Sequence, residues 1–525
     1  MKILDWQNNA LFLQNWRERM RLPSVVAACI LTLIIVILIF TNAHMNKEST
    51  HYNYRSRPHS PAVTFPWYKK FFLDLTVFQG IIILFFGTFS AGRMAARERT
   101  SGTLDFHRSS PTPRATQVFG ILFGSTILEW FLFWGVFALE LGLAFIYGLP
   151  LIALLKFNFA LIVCAILFHS FAILFNITLN STKSRVIGFP TLIFFYFLVH
   201  LVFVGNFSFV YHLTWLPTYD AINTAIKGLP PVTDNSYYYT NFYKNLNNFF
   251  GQEWPALVLQ LFVQIPLIGL FMTAISRRIA SNEKPTLSKA QLLLGYLLIL
   301  FLMTGSIYSL ILERYHSRYF YPTDFLELFF YTVIILSMVA SFMATPTQLM
   351  YLKALRRGRK LGLKKMNSGD DGASNHLWLG VLCLITIVFY SLQTIICEAP
   401  FKVHLLAIII LLSYVVFFAS LLEYFLLSQF HKNKILLGAL MIILWFLIPS
   451  FAFITQSFNY NSPIPRNLLS FSPFFGGIPD IMKSYRDQMD LMPDLVISGG
   501  LAVVAVLLAL RERIRLRALV NSEKI

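Results

Sequence analysis

Several ionisable side chains interrupt the long apolar segments of this sequence. An ionisable group in hydrocarbon costs at least about 2.5 kcal/mol unless it is paired or hydrated. Side chains retained at such positions are candidates for a polar pathway across a membrane. We interpret one set as a possible intramembrane pathway, which consists of Glu129, Glu140, Lys156, His169 and Glu423.

Two pairs of residues within this set suggest different roles. Glu140 and Lys156 flank the same short turn, which favours a structural ion pair over a contact with substrate. Glu129 and His169 lie deeper in their segments, so this combination is the better candidate for a substrate or gating role. Glu129 and Glu140 are three helical turns apart and therefore share one face of a helix.

The sequence lacks the motifs of a metal site and of an ATPase. It contains no His-Glu-x-x-His motif, no His-Cys cluster, and no Cys-x-x-Cys spacing among its four cysteines. It also contains no Gly-x-x-x-x-Gly-Lys-Ser/Thr phosphate loop. We therefore predict that the chain is not an enzyme and that any ATP hydrolysis must come from a partner.

The composition is that of a polytopic membrane protein. Hydrophobic residues make up 56% and charged residues only 13%, whereas a soluble domain carries about 25% charged residues. The formal net charge of +18 could suggest a nucleic-acid-binding protein. Such a protein needs a water-facing basic domain, and none is visible, so we explain the excess by the positive charge of cytoplasmic loops.

Apolar stretches of about 20 residues predict an all-α fold with about twelve transmembrane helices. The predicted cytoplasmic segments carry more than twice as many Lys and Arg residues as the outer loops. This bias places both termini in the cytoplasm. We predict that the protein lies in the plasma (inner) membrane. The predicted spans are 22–41, 71–91, 117–146, 151–178, 186–205, 254–275, 291–312, 325–344, 377–397, 403–428, 434–455 and 494–510.

The N-terminal segment 1–21 predicts an amphipathic helix in the inner interface. This helix either anchors the chain at the membrane or packs beside a cytoplasmic partner. The first apolar run is long enough to span the membrane, so we interpret it as a retained helix and not as a signal peptide. The apolar residues of the amphipathic helix recur at intervals of three and four: Trp6, Ala10, Leu13, Trp16 and Met20.

The order of the spans predicts an internal duplication. Six spans in each half share the same sequence of short and long connections, which divides the chain into repeats at 22–280 and 281–525. The outer loops before the sixth and twelfth spans also match in residue type. These loops are apolar, broken by proline and too short to cross, so they predict re-entrant segments. Their marker residues are Pro217, Tyr219, Pro473 and Phe474.

A charged stretch at 93–116 separates the second and third predicted spans and is called the elbow here. Its arginines place it in the cytoplasm. Hydroxyl side chains at 100–103 can cap a short helix over 104–108, and Thr112 with Pro113 is typical of the start of the next helix. These signals predict a short structured helix between two turns; the alternative is a simple cytoplasmic hairpin.

The elbow resembles the corresponding connection in the ABC-2 type membrane subunits of ABC transporters. In that family this connection typically reads as a Glu, a Gly-Thr-Leu and then a Ser/Thr-Pro turn before the third helix. The matching residues are Glu98, Gly102-Thr103-Leu104, Ser110-Pro111 and Thr112-Pro113. The Gly-Lys pair that often follows is absent, since the chain has Phe119-Gly120-Ile121 there. The resemblance covers the first six spans well and the second six mainly by topology.

The resemblance implies that the elbow is a coupling helix, which docks in a groove of a separate ATPase subunit. It further implies a permease subunit of an exporter, driven by two ABC ATP-binding subunits that hold ATP and Mg. The sequence does not identify the transported substrate. The residues expected to couple to the ATPase are Glu98, Gly102, Thr103, Leu104, Arg108, Pro111 and Pro113.

The equivalent loop of the second repeat, 345–376, has the position of the elbow but not its motif. Its basic helix either binds anionic lipid head groups or meets the ATPase. We therefore predict asymmetric coupling, with the sharper contact at the first elbow. The basic residues are Lys353, Arg356, Arg357, Arg359 and Lys360.

The sequence is also compatible with other classes of protein. A secondary transporter also favours twelve spans in two halves and would work without an ATPase, although no coupling-ion cluster is obvious. A membrane-embedded transferase acting on lipid-linked sugars would need catalytic carboxylates in an outer loop. A structural membrane scaffold is a further alternative.

Overall fold

The computed structural model describes residues 9–45, 66–109, 112–178, 208–227, 248–281, 285–314, 323–362, 371–373, 376–396, 401–428 and 491–522. Within these ranges the protein is an all-α polytopic membrane protein. Eight of the described helices are long and apolar enough to cross a membrane. The structure divides into two compact units, and the second begins at Ser281 apart from a short excursion at 249–251.

The first unit is built from helices with clear sequence causes. Apolar runs form the long helices, and Gly148 in a left-handed conformation ends one of them. A π-helix, Ile81–Phe86, connects two α-helices into one continuous element. The helices are α1 Ala10–Arg19, α2 Leu22–Met45, α3 Trp67–Gly80, α4 Gly87–Thr100, α5 Thr103–Ser109, α6 Arg114–Ser125, α7 Ile127–Tyr147, α8 Leu151–Thr178, α9 Ser208–Leu213, α10 Leu216–Lys227 and α11 Ala256–Ala280.

The remaining elements are a small sheet between α10 and α11 and the helices of the second unit. A two-stranded sheet pairs β1, Asn248–Phe249, with β2, Gln252–Glu253. The helices of the second unit bury an apolar core that includes Phe329, Phe330 and Tyr414. They are α12 Lys289–Arg314, α13 Thr323–Ala344, α14 Gln348–Lys360, α15 His376–Ile396, α16 Phe401–Leu427 and α17 Met492–Ser522.

Most of the predicted spans fall on described residues, and these residues are largely helical. The spans predicted at 186–205 and 434–455 lie outside the described residues. The prediction of one continuous helix over 117–146 was wrong, because the helix breaks at Thr126, where φ is −115° and ψ is 15°.

The break has a local physical cause. The hydroxyls of Ser125 and Thr126 both donate to the carbonyl of Leu122, at 3.1 and 2.9 Å. Such back-bonding competes with the backbone hydrogen bonds of the helix. The guanidinium of Arg19 in α1 donates to the carbonyl of Ser125 at 3.0 Å, which satisfies an acceptor at the break.

Close packing of α4 on α8 aligns the second and fourth spans. Gly87 lies against the imidazole of His169, whose Nε2–H donates to the carbonyl of Ile83 in the π-helix at 2.8 Å. One helical turn and a half further on, Gly92 lies against the amide of Asn176. Because glycine has no side chain, the two helix backbones approach closely here. This contact holds α4 in place where it runs into the elbow.

We expect Gly92→Val to destabilise the protein by about 1–3 kcal/mol, the usual cost of overpacking. A Cβ at this position would lie 2.7 Å from Nδ2 of Asn176, so α4 and α8 would have to separate. Thermal unfolding of the detergent-solubilised protein measures the effect. Gly135→Val is the matched control, since nothing lies within 4 Å of a Cβ there. Equal loss in the two variants would contradict the packing described.

Candidate functional site

The first turn of the elbow depends on Gly102. The helix α4 ends at Thr100, and Gly102 has φ of +77°, a left-handed conformation that favours glycine. The hydroxyl of Thr103 donates to the carbonyl of Glu98 at 3.1 Å, and that of Ser101 at 3.3 Å. These hydroxyls, predicted to cap the short helix that follows, therefore satisfy the end of the preceding helix. The turn redirects the chain sharply into α5.

The second turn leads from α5 into α6. Residues 110–111, and with them Pro111, lie outside the described residues. Pro113 lies at the N-cap position, one residue before α6 begins. The Gln117 amide donates to the hydroxyl of Thr112 at 2.8 Å and ties the turn to the first turn of α6. The described residues contain the predicted first turn and short helix, and they include the second turn only from Thr112.

Three arginines join the elbow and the ends of two long helices to one another. Arg108 of α5 donates through Nε to the carbonyl of Ile279 at 3.0 Å, and through Nη2 to that of Arg278 at 3.4 Å. Arg99 of α4 donates to the carbonyl of Ile177 at 2.9 Å. Arg278 in turn donates to the carbonyl of Thr178 at 3.5 Å. We call Arg99, Arg108 and Arg278 the arginine clamp.

The arginine clamp has a simple electrostatic basis. The carbonyls at the C-terminus of a helix lack partners within the helix and carry a partial negative charge. The clamp places guanidinium groups on these carbonyls in α8 and α11, the fourth and sixth predicted spans. Arg108 belonged to the predicted coupling set, but Arg99 and Arg278 did not. Their signal was available, because each lies in the last turn of a long helix.

The remaining predicted coupling residues divide into buried and exposed groups. Glu98 and Leu104 are buried inside the elbow. Oε2 of Glu98 has no hydrogen-bond partner among the described residues. Gly102 is exposed, with nothing within 4 Å of a Cβ built on it. The buried pair therefore positions α5, whereas the turn at Gly102 forms the accessible tip.

The N-terminal helix α1 packs on α6 at the base of the elbow. Asn9 caps α1 by accepting from the amide of Phe12, and its own amide donates to the carbonyl of Thr116 at 2.8 Å. Gly120 and Gly124 of α6 leave room for Asn9 and Asn15. The sequence pattern missed this polar face. Trp16, on the predicted apolar face, is 41% exposed.

Two ion pairs connect α1 to the helices around it. Arg97 of α4 pairs with Glu18 at 2.6 Å, with side chains that are 63% and 27% exposed. Arg19 pairs with Glu129 of α7 at 3.1 Å, and Ser90 of α4 also donates to that carboxylate. Oε1 of Glu129 thus accepts from both Arg19 and Ser90, whereas Oε2 has no hydrogen-bond partner among the described residues. His169 bonds to the carbonyl of Ile83 and not to Glu129. The substrate or gating role of Glu129 and His169 stays a prediction.

The predicted ion pair between Glu140 and Lys156 is also absent. Glu140 is fully buried, and its neighbour is the side chain of Asn158 and not Lys156. Lys156 lies on the exposed side of α8, because the buried side there is formed by Leu154 and Phe157. The amide oxygen of Asn158 accepts a hydrogen bond from Nε2 of Gln79 at 2.8 Å. Spacing along the sequence could not reveal which side of α8 faces α7.

Glu423 of α16 makes the most buried ion pair in the described residues. Arg513 of α17 donates to it through Nε at 3.0 Å and through Nη2, in a bidentate arrangement. The two side chains are only 2% and 6% exposed. Glu423 was predicted as part of an intramembrane pathway, and the structure assigns it to an ion pair that joins two helices.

The basic loop of the second unit begins as a single helix. Its predicted cations Lys353, Arg356, Arg357 and Lys360 all lie on the exposed side of α14. The fifth, Arg359, donates to the carbonyl of Val520 in α17 at 2.6 Å. On the other side, Tyr351 is buried with Leu427 and Leu516. In its described part this loop has no short transverse helix equivalent to α5.

The first of the two predicted outer segments is partly described. It forms α9 and α10, and Pro217 and Tyr219 lie in the first turn of α10. Gln264 of α11 donates to the carbonyls of His212 and Leu213 at 3.0 and 3.2 Å. This amide satisfies the end of α9, as a helix end in a membrane requires. Pro473 and Phe474 lie outside the described residues, so the second segment stays a prediction.

Comparisons with known proteins gave no relative. No family model matches the chain, and neither the curated proteins nor the solved structures gave a match. The assignment of function therefore rests on the residues of the elbow and on their geometry.

Proposed function

We propose that the chain is the transmembrane permease subunit of an ABC-2 type ABC transporter. It would have twelve spans in two six-span repeats, with both termini in the cytoplasm of the plasma (inner) membrane. Two separate ATP-binding subunits would bind ATP and Mg and drive export of a substrate. Alternating access would follow from rocking of the two repeats as the ATPases close and open.

The observation that carries this proposal is the attachment of α5. A helix can transmit a rigid-body displacement to a span only if it is held to that span by defined contacts. α5 follows α4 through a hydroxyl-bonded turn, and Arg108 ties it to the end of α11. Arg99 ties the same region to α8. Movement of α5 by a partner would therefore displace the second, fourth and sixth spans together.

Co-purification tests this proposal. The tagged chain is extracted in mild detergent from the cells that naturally express it, and the preparation is assayed for Mg-dependent ATP hydrolysis. We expect a co-purifying subunit with a phosphate-loop motif and hydrolysis that is lost when this subunit is removed. Active transport by the chain in vesicles that contain no ATPase would instead support the alternative of a secondary transporter.

One observation favours that alternative. Glu140 is a buried carboxyl group, and the buried amides of Gln79 and Asn158 lie on the neighbouring helices α3 and α8. Carboxyl and amide oxygens of this kind are common in the ion pathways of secondary transporters. The vesicle assay separates the two functions, because only the secondary transporter moves substrate without added ATPase.

A further inference from the structure

A basic helix of the second unit lies at the ends of two membrane-spanning helices. Tyr351 of α14 is buried against Leu427, the last residue of α16, and Leu516 of α17. α17 has 31 residues, which corresponds to about 46 Å of helix. A hydrocarbon core is about 30 Å thick, so one end of α17 must project beyond it.

The projecting end of α17 is identified by its charges. The apolar part of α17 ends at Leu510 and is followed at once by Arg511. Leu516 lies six residues beyond Leu510, or about 9 Å along the helix. The head-group region on each side of the hydrocarbon is about 5–8 Å thick. The contact between Tyr351 and Leu516 therefore holds α14 at the outer edge of the lipid head groups.

The side of α14 that faces away from the protein is both basic and apolar. Lys353, Arg356, Arg357 and Lys360 are exposed on it. Leu349 and Leu361, near the two ends of the helix, are 49% and 67% exposed. Helices with cations and exposed leucines in this arrangement bind anionic membrane surfaces.

We propose that α14 binds the head groups of anionic phospholipids in the leaflet where α16 and α17 end. The long side chains of the cations would reach the lipid phosphates and pair with them. Charge complementarity and depth favour this occupant over a protein. The role is independent of the proposed coupling to an ATPase, since it requires only the chain and its membrane.

Lipid titration of the purified full-length chain tests this proposal. Fluorescently labelled phosphatidylglycerol is titrated onto the detergent-solubilised protein, and phosphatidylcholine with the same label is the reference lipid. We expect tighter binding of phosphatidylglycerol, and a loss of roughly tenfold or more in that affinity for Arg356→Gln/Arg357→Gln. Raised salt should weaken binding in the same direction.

Matched variants make the result decisive. Lys69→Gln/Lys70→Gln removes two cations from α3, far along the chain from α14, and should change the affinity less than twofold. If Arg356→Gln/Arg357→Gln fails to fold, Lys353→Gln/Lys360→Gln alters the same surface. Wild-type affinity for phosphatidylglycerol in these α14 variants would overturn the proposal, as would equal binding of both lipids by the wild type. Unchanged lipid affinity with lost partner-stimulated ATP hydrolysis would assign the surface to the ATPase instead.

Discussion

Arg108→Ala is expected to insert and fold normally but to lose most of its partner-stimulated ATP hydrolysis. The substitution removes both hydrogen bonds from α5 to the end of α11. Hydrogen bonds to charged groups contribute about 1.5–3 kcal/mol, and each 1.4 kcal/mol is a factor of about ten in an equilibrium. We therefore expect stimulation to fall about tenfold, measured as ATP hydrolysis of the reconstituted complex.

Two further variants serve as comparisons for Arg108→Ala. Arg108→Lys keeps the charge but lacks the planar fork of donors, so it should recover only part of the stimulation. Arg359→Ala removes the comparable bond from α14 to the carbonyl of Val520 in the second unit. A smaller loss there is expected, because coupling is proposed to be sharper at the first elbow. Full stimulation in Arg108→Ala, or an equal loss in both alanine variants, would contradict the asymmetry.

Arg513→Met is expected to cause the largest loss of stability. It leaves the carboxylate of Glu423 buried, with the bidentate partner gone and only the more distant Lys289 nearby. Removal of one partner of a buried pair typically costs about 3–5 kcal/mol. The expected loss appears as a lower unfolding temperature in detergent, with impaired packing of α16 on α17.

A double variant separates buried charge from packing. Glu423→Gln/Arg513→Met removes both charges at similar volume, which is often close to neutral in buried pairs, so most of the stability should return. The exposed pair of Arg97 and Glu18 is the control; Arg97→Ala should cost no more than about 1 kcal/mol. Losses that simply add in the double variant would show that the two side chains do not act as a pair.

The sequence was enough to predict a polytopic membrane protein and the position of the elbow. Apolar length and charge content alone identify long membrane helices, because the hydrocarbon core imposes both. The turn at Gly102 could also be predicted, since hydroxyls and glycine have local conformational preferences. Helix ends are local features, so short windows of sequence contain most of the relevant signal.

The partners of individual charges could not be predicted in the same way. Glu423 and Arg513 lie on different helices, and neither flanking sequence indicates the other. Glu140 and Lys156 are close in the chain, yet the packing of α7 on α8 points them in different directions. Arg99 and Arg278 lie in the last turns of their helices, but the sequence does not show which carbonyls accept their hydrogen bonds. These contacts depend on tertiary packing.

A matched pair of glycine variants tests the coupling role of the elbow most directly. Gly102 and Gly148 both have positive φ, of 77° and 63°, and both face open space. A side chain at either position should therefore cost a similar amount, about 1–2 kcal/mol. Only Gly102 lies at the exposed tip of the elbow, whereas Gly148 ends α7.

The measurement is partner-stimulated ATP hydrolysis by Gly102→Trp and Gly148→Trp, reconstituted at equal amounts of inserted protein. We expect Gly102→Trp to abolish stimulation, because a bulky side chain at the tip blocks docking of the ATPase, and Gly148→Trp to retain it. Normal stimulation in Gly102→Trp would contradict the assignment of the elbow as the coupling helix.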